Sequence, residues 1–227
     1  MSEVMANPDV THGSSVETRM PRYGMVIDLK RCYGCYACVM ACKTANHTPP
    51  GVFWARLLKG EMGKFPNTVR QSLPVLCMQC EEPSCLEVCP TGATIQLDDG
   101  IVIVDQEKCM GCKYCMMACP YGARYSVEEW ESYFPDGLPL SPYEEFSKKA
   151  WEEKSGVGVA TKCDFCRDRV AEGRNPASVD ACPANARIFG DLDDPDSEVS
   201  WLIKTYRGEV LNPEFGNKPK VYYLPPR

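Results

Sequence analysis

Cysteines offer the main chemistry in this sequence. The 227 residues include fifteen cysteines, which fall into four short groups. In groups one and three the spacing is C-x2-C-x2-C-x3-C, in which three thiolates surround one inorganic centre and the fourth reaches a second centre. This spacing predicts iron–sulfur clusters. Group one is Cys32, Cys35, Cys38 and Cys42; group two is Cys77, Cys80, Cys85 and Cys89; group three is Cys109, Cys112, Cys115 and Cys119; group four is Cys163, Cys166 and Cys182.

Two other uses of cysteine fit this pattern less well. Disulfide frameworks are typical of small secreted chains with an even number of cysteines, whereas the number here is odd and many neighbours are three residues apart. Structural zinc sites place C-x2-C pairs about a dozen or more residues apart, and only group four resembles half of such a site. A zinc-stabilised binding module is therefore the alternative from another functional class.

Group four is one cysteine short. In the other groups three residues separate the last two cysteines, and the same spacing counted back from Cys182 reaches Ser178. Four clusters with four ligands each require sixteen ligands, so Ser178 occupies the place of the missing one. If its oxygen binds iron, the cluster stays [4Fe–4S], with a lowered potential; if it does not, the cluster is [3Fe–4S]. The sequence leaves both outcomes open.

The last cysteine of each group is expected to serve a neighbouring cluster, as in two-cluster ferredoxins. Groups two and three are close in sequence and form one pair, so groups one and four form the other. No catalytic residue is predicted, because the sequence offers no nucleophile paired with histidine and no phosphate-binding loop. The predicted sites are site one (Cys32, Cys35, Cys38, Cys182), site two (Cys42, Cys163, Cys166, Ser178), site three (Cys77, Cys80, Cys85, Cys119) and site four (Cys89, Cys109, Cys112, Cys115).

Short elements must position these groups. "GMVIDL" (24–29) and "GIVIVD" (100–105) are predicted strands that lead into groups one and three. "ATIQL" (93–97) and "IVIVD" flank "DDG" and predict a hairpin. A helix is expected near 143–153, and "KVYYL" (220–224) is strand-like. The predicted fold class is α+β, with two ferredoxin-like units in one chain.

These elements suggest a division of the chain. The polar N-terminus lacks the apolar core of a secretion signal and is expected to be a flexible lead-in. The long acidic and aromatic stretch between groups three and four is either a docking segment or a surface insertion. The predicted division is a lead-in at 1–22, an outer unit at 23–76 plus 160–200, an inner unit at 77–120, an insertion at 121–159 and a C-terminal tail at 201–227.

Charge and hydropathy exclude some partners. The formal net charge is −6, and without a basic stripe the sequence predicts no nucleic-acid binding. The longest apolar runs fall far short of the ~18 residues of a membrane span. Five cations adjoin cluster cysteines, where they either raise cluster potentials or are solvated surface charges: Lys43, Arg124, Lys162, Arg167 and Arg187.

Four motif-bearing stretches together resemble a known family. They are "YGMVIDLKRCYGCYACVMAC", "PVLCMQCEEPSCLEVCPTGA", "EKCMGCKYCMMACPYGAR" and "TKCDFCRDRVAEGRNPA". The sequence is similar over about residues 23–200 to the iron–sulfur electron-transfer subunits of molybdopterin oxidoreductases, such as dimethyl sulfoxide, polysulfide, tetrathionate and respiratory arsenate reductases. The family has cysteine where this chain has Ser178.

The resemblance implies partners and an arrangement of clusters. It implies a large catalytic subunit with a molybdenum or tungsten bis-pterin, often accompanied by a membrane subunit that reacts with quinone. It also implies the same exchange of fourth ligands, and it makes site two second from the catalytic partner. The equivalent subunit of a formate dehydrogenase or hydrogenase complex is the closest alternative. Co-export with a catalytic subunit to the periplasm and a cytoplasmic location are both compatible with the family.

Overall fold

Short helices and strands alternate along the chain. The computed structural model describes residues 19–134 and 137–225, so most of the expected N-terminal lead-in lies outside the described residues. The mixed content agrees with the predicted α+β class. The elements are β1 (Tyr23–Asp28), α1 (Ala37–Asn46), β2 (Arg56–Lys64), β3 (Asn67–Val75), α2 (Ser84–Glu87), β4 (Thr94–Gln96), β5 (Val102–Val104), α3 (Tyr114–Ala118), β6 (Tyr125–Ser126), α4 (Pro142–Lys154), β7 (Ala160–Thr161), α5 (Arg167–Ala171), α6 (Ala177–Asp180), β8 (Arg187–Asp191), α7 (Glu198–Tyr206), β9 (Glu209–Val210), a 3-10 turn (Pro213–Phe215) and β10 (Val221–Leu224).

β1 lies inside the largest sheet, whose strand order is β8-β1-β10-β9. It pairs antiparallel with β8 and parallel with β10. Met25, Val26 and Ile27 are fully buried, because a central strand with both faces covered can be apolar throughout. The predicted strands at 24–29 and 220–224 are confirmed to within one residue. The C-terminal strands β9 and β10 thus complete the sheet that contains β1.

The side chains of β1 point alternately into two apolar layers. Val26 faces a small layer formed with α7 and β10, which includes Val199, Leu202 and Leu224. The opposite face of β1 joins the main core. That core contains large aromatic side chains together with three cysteines of the predicted sites: Trp54, Trp151, Phe165, Cys42, Cys80 and Cys163. The three cysteines that are part of the main core therefore lie on one side of the sheet.

Two hairpins differ in how well the sequence predicted them. β4 and β5 pair antiparallel, and Gly100 makes the turn with a φ of 76°, so the hairpin predicted around "DDG" is confirmed. β2 and β3 form a longer hairpin that was not predicted. Most of its residues are exposed, so the alternation of buried and exposed side chains that marks a strand is weak there.

α4 closes the stretch between groups three and four. Ser141 and Glu144 form a capping box, and Pro142 opens the first turn, as helix-start chemistry prefers. Hydrogen bonds from the Ser141 backbone, the Ser132 hydroxyl and the Tyr133 backbone lower the pKa of Glu144 to about 2. The helix predicted near 143–153 is confirmed. The ring centroid of its Trp151 lies 5.9 Å from that of Trp54 in the main core. This contact packs the stretch against the rest of the molecule.

Candidate iron–sulfur cluster sites

The loops of groups one and three share one backbone conformation. Gly34 and Gly111 have φ values of 77° and 73°. Tyr36 and Lys113, two residues further on, are also left-handed and directly precede α1 and α3. A β-carbon at position 111 would overlap the Gly158 carbonyl oxygen. Glycine is therefore required in the group three loop both by conformation and by space.

Three predicted sites each surround a cavity. In each one, all four cysteines predicted for that site line the same space. These sites are site one (Cys32, Cys35, Cys38, Cys182), site three (Cys77, Cys80, Cys85, Cys119) and site four (Cys89, Cys109, Cys112, Cys115). Residues from distant parts of the chain thus meet as the exchange of fourth ligands requires.

Site two is the most deeply buried. The Asn46 side-chain nitrogen lies 3.7 Å from Cys42 Sγ and 3.8 Å from Cys166 Sγ, so it bridges these two thiols. Cys163 interacts electrostatically with both of them. Ser178 lies on α6, which packs against the Cys42-bearing helix α1. The structure therefore brings the three cysteines of site two together and places Ser178 on the helix beside them.

Burial controls the protonation of these thiols. It raises the pKa of Cys42 to about 12 and that of Cys163 well above its usual range. At Cys89 burial also raises the pKa, but hydrogen bonds from Thr94 and Thr91 outweigh it and lower the pKa to about 7. Metal binding releases thiol protons, so iron would displace more tightly held protons at site two than at Cys89.

Backbone amides point at the last cysteine of three groups. Each amide lies four or five residues after its cysteine, just beyond a Cys-Pro step. Hydrogen bonds to a ligand sulfur orient it and tune the metal centre. The pairs are Thr94 N to Cys89 Sγ at 3.4 Å, Ala123 N to Cys119 Sγ at 3.5 Å and Ala186 N to Cys182 Sγ at 3.3 Å.

The five cations beside the cysteines differ in how deeply their side chains are buried. Arg167 is exposed and is a surface charge. The Lys43 ammonium binds the carbonyl oxygens of Thr48, Pro49 and Val52; the Lys162 ammonium likewise binds backbone carbonyls. Arg124 differs, because its Nη2 donates to Cys85 Sγ at 3.0 Å. The four buried members are Lys43, Arg124, Lys162 and Arg187.

Electrostatic interactions connect cysteines of different sites. Burial raises the pKa values of Cys32 in site one and Cys42 in site two, and the Arg187 charge opposes that rise at both thiols. Cys163 of site two interacts with Cys77 of site three. Arg124 interacts with Cys85 of site three and with Cys115 of site four. These interactions make site two a neighbour of sites one and three, and site three a neighbour of site four.

Sequence reasoning missed two residues that contact sites two and three. Gln79 is fully buried; its side chain donates to the Cys163 carbonyl at 2.7 Å and accepts from the Val102 amide at 2.7 Å. It therefore links sites two and three. Asn46, which bridges two thiols of site two, lies one helical turn after Cys42. The i,i+4 spacing on a helix could have identified Asn46, whereas no local signal marks Gln79.

The donor sets fit iron–sulfur clusters. Sites one, three and four offer four thiols around a cavity, and N–H groups are aimed at several of the sulfurs, as protein-bound clusters require. The described residues contain no group of three His, Cys, Asp or Glu side chains placed to hold a single metal ion. Nor is any helix in the described part of the chain long and apolar enough to cross a membrane.

Comparison with known proteins agrees with this donor chemistry. Residues 69–134 and 140–192 match the family described as "4Fe-4S dicluster domain". The chain is 44% identical over 208 residues to one subunit of the selenate reductase of Mesobacillus selenatarsenatis, covering 88% of this chain and 70% of that protein. It is 41% identical over 230 residues to one subunit of the sulfite dehydrogenase of Allochromatium vinosum, covering 92% and 85%. It is 39% identical over 224 residues to the iron-sulfur subunit of the arsenate respiratory reductase of a Shewanella species, covering 89% and 96%.

These similarities extend across both halves of the described chain and confirm the resemblance seen in the cysteine motifs. A dicluster domain is compatible with cysteine groups that act in pairs, and each of these relatives is named as one subunit of a reductase or dehydrogenase. The chain belongs to the iron–sulfur electron-transfer subunits of the molybdopterin oxidoreductases.

Proposed function

We propose that this chain carries electrons through four iron–sulfur clusters in series, to or from a catalytic subunit that holds molybdenum or tungsten. The observation that carries the proposal is that each predicted site has a neighbouring site within electrostatic reach, which supports a series from site one to site four. Bound clusters would supply one-electron carriers whose potentials depend on ligation, charge and hydrogen bonding. The polypeptide would hold and insulate them.

The proposed ligands are the four residues of each predicted site. Sites one, three and four would each hold a [4Fe–4S] cluster through cysteine alone. Site two would be bound by Cys42, Cys163 and Cys166, with Ser178 at the fourth corner. Burial of Cys42 and Cys163 shields two of its thiols from water, and the Asn46 amide would keep Cys42 and Cys166 oriented toward the cluster. Whether the Ser178 oxygen retains the fourth iron decides between [4Fe–4S] and [3Fe–4S].

The proposed entry and exit points are the two end sites. Cys35 of site one and Cys112 of site four are exposed cysteines. Tyr33 and Met110, which follow the first cysteines of their groups, are also exposed. Clusters at these ends would therefore lie near the surface, where a partner can approach. The family resemblance favours the catalytic subunit at site one, which leaves site four for a second redox partner such as a quinone-linked membrane subunit.

Two ferredoxin-like units are part of the same proposal. The inner unit would contain sites three and four, within residues 77–120. The outer unit would contain sites one and two, from 23–76 plus 160–200. The shared arginine neighbours within each pair of sites support this grouping.

The substrate belongs to the partner. Two of the relatives compared above are named reductases and one is named a dehydrogenase, so membership of the family is compatible with electron flow in either direction. A chain that conducts electrons needs no substrate site of its own. The identity of the catalytic subunit therefore determines both the substrate and the direction of the overall reaction.

Anaerobic purification with metal analysis tests the proposal. We expect brown protein with about sixteen irons per chain and comparable acid-labile sulfide, co-purifying with a large subunit that contains molybdenum or tungsten. Colourless protein with stoichiometric zinc would instead identify the zinc-stabilised module. Co-purifying nickel would identify a hydrogenase complex.

A further inference from the structure

Two arginines occupy equivalent places in the chain. Each ends a Cys-Pro-x-x-Ala-Arg segment that begins at the last cysteine of a group, at 119–124 and at 182–187. Arg124 and Arg187 are only 4% and 3% exposed, although both carry a permanent charge. A buried charge is costly unless something nearby compensates it, so the surroundings of each guanidinium indicate what it serves.

Arg124 lies between sites three and four. Its Nη2 donates to Cys85 Sγ at 3.0 Å, and its Nη1 donates to Thr94 Oγ1 at 3.1 Å. Cys85 belongs to site three, and Cys115, which also interacts with this charge, belongs to site four. One buried cation is therefore shared by two neighbouring sites.

Arg187 repeats this arrangement between sites one and two. Its Nη1 lies 3.3 Å from Ser178 Oγ. Ser178 precedes the last cysteine of group four by four residues, as Cys85 precedes the last cysteine of group two. Arg187 lines the same cavity as the four cysteines of site one, and its charge also acts on Cys42 of site two. The pairs Arg124–Cys85 and Arg187–Ser178 thus correspond, with oxygen in place of sulfur.

The remaining donors of Arg187 require acceptors. Its Nε and Nη2 are buried without a hydrogen-bond partner among the described residues, and the same holds for Nε of Arg124. Unpaired buried donors are unfavourable, and native proteins rarely leave them so. The sulfur atoms of a bound cluster would be acceptors in the right place, because both side chains adjoin ligand positions.

We propose that Arg124 and Arg187 are matched electrostatic elements, each raising the reduction potentials of the two clusters between which it lies, and that Arg187 also orients Ser178 toward site two. This inference rests on the proposed function. Reduction adds negative charge to an anionic cluster, and a buried cation nearby stabilises the reduced form more than the oxidised form. Each arginine therefore shifts the potentials of one pair of clusters in the same direction.

The test is a redox titration of the native complex, monitored by electron paramagnetic resonance, with Arg124→Met and Arg187→Met. We expect Arg187→Met to lower two of the four cluster potentials and Arg124→Met to lower the other two. Arg31→Met is the matched control: Arg31 bonds the Asn185 carbonyl close to Cys182 but is half exposed, so solvent screens its charge. The four cluster potentials of the Arg31→Met variant should stay near those of the wild type.

Arg187→Lys separates charge from packing. It keeps the positive charge and should hold the potentials of the affected pair closer to the wild type than Arg187→Met does. Loss of iron from the Met variant but not from the Lys variant would also support a requirement for charge, whereas loss from both would overturn it. Shifts no larger than those of the Arg31 control, or shifts of the same two potentials by both arginine variants, would overturn the inference. A wild-type complex without clusters would instead refute the proposed function.

Discussion

The pair of sites three and four and the pair of sites one and two solve the same problem with different residues. In the first pair, groups two and three are neighbours in sequence, and Arg124 faces the Cys85 sulfur. In the second pair the ligands come from opposite ends of the chain, and Arg187 faces the Ser178 oxygen. The difference shows that the residue facing the arginine can change from cysteine to serine while a buried positive charge is kept beside it.

The largest loss of iron is expected when Cys85, the residue that faces Arg124, is removed, and a smaller loss when Ser178, which faces Arg187, is removed. Cys85→Ala deletes a thiolate that iron requires, so we expect loss of up to about four irons, the content of one [4Fe–4S] cluster, and a broken electron path. Ser178→Ala removes a weaker ligand and should cost about one iron at most. Iron and sulfide analysis of both purified variants measures the difference. Equal losses would mean that serine and cysteine contribute alike, which would break the comparison.

Ser178→Cys should make the second pair resemble the first. The variant has sixteen cysteines, and its new thiolate would face Arg187 as Cys85 faces Arg124. We expect the oxidised variant to show no three-iron signal by electron paramagnetic resonance, and the potential of that cluster to rise relative to serine ligation, because thiolate is the softer ligand. A persistent three-iron signal would show that position 178 lies out of reach of the iron.

The loops of cysteine groups one and three differ in how well they can accommodate a methyl group in place of the glycine hydrogen. Gly34→Ala and Gly111→Ala both force alanine into a left-handed conformation, which costs about 1–2 kcal/mol. At position 34 the new methyl meets the Ser72 hydroxyl, which can rotate away, but at position 111 it meets the backbone carbonyl of Gly158. We therefore expect Gly111→Ala to lower the Tm more, at about 2–4 °C per kcal/mol.

The double variant Gly34→Ala with Ser72→Ala is the control for the two glycine variants. It removes the side-chain overlap and leaves the backbone strain, so its Tm should recover part of the loss seen in Gly34→Ala. If Gly34→Ala were the more damaging of the two single variants, the spatial argument would be wrong.

The smallest effect on stability is expected at α4, which lies outside both pairs of sites. Ser141→Ala removes the N-cap of α4 and should cost about 1 kcal/mol of stability. Because α4 supplies no predicted ligand, the cluster potentials should not move. Thermal unfolding and redox titration of the same sample check both halves of this expectation. Altered potentials would mean that stability alone shifts them, which would weaken the interpretation of the arginine variants.

Local patterns predicted a large part of the fold. The strands at 24–29 and 220–224, the β4–β5 hairpin and α4 depend on short-range alternation, turn residues and capping, and all were found. The β2–β3 hairpin was missed because its exposed strands carry little hydrophobic pattern. The ligand sets followed from spacing and from exchange between paired groups, and they remain predictions until metal is measured, as do the unit boundaries.

The sequence by itself determined which residues form cysteine groups, because three ligands of one centre can come from a loop of a few residues whose geometry is local. Only the tertiary structure decided which cations are buried and what they face. Those features depend on contacts between residues far apart, such as Asn46 with Cys166 and β1 with β10. No spacing rule along the chain encodes them, because they arise when the main core is packed around the cysteines.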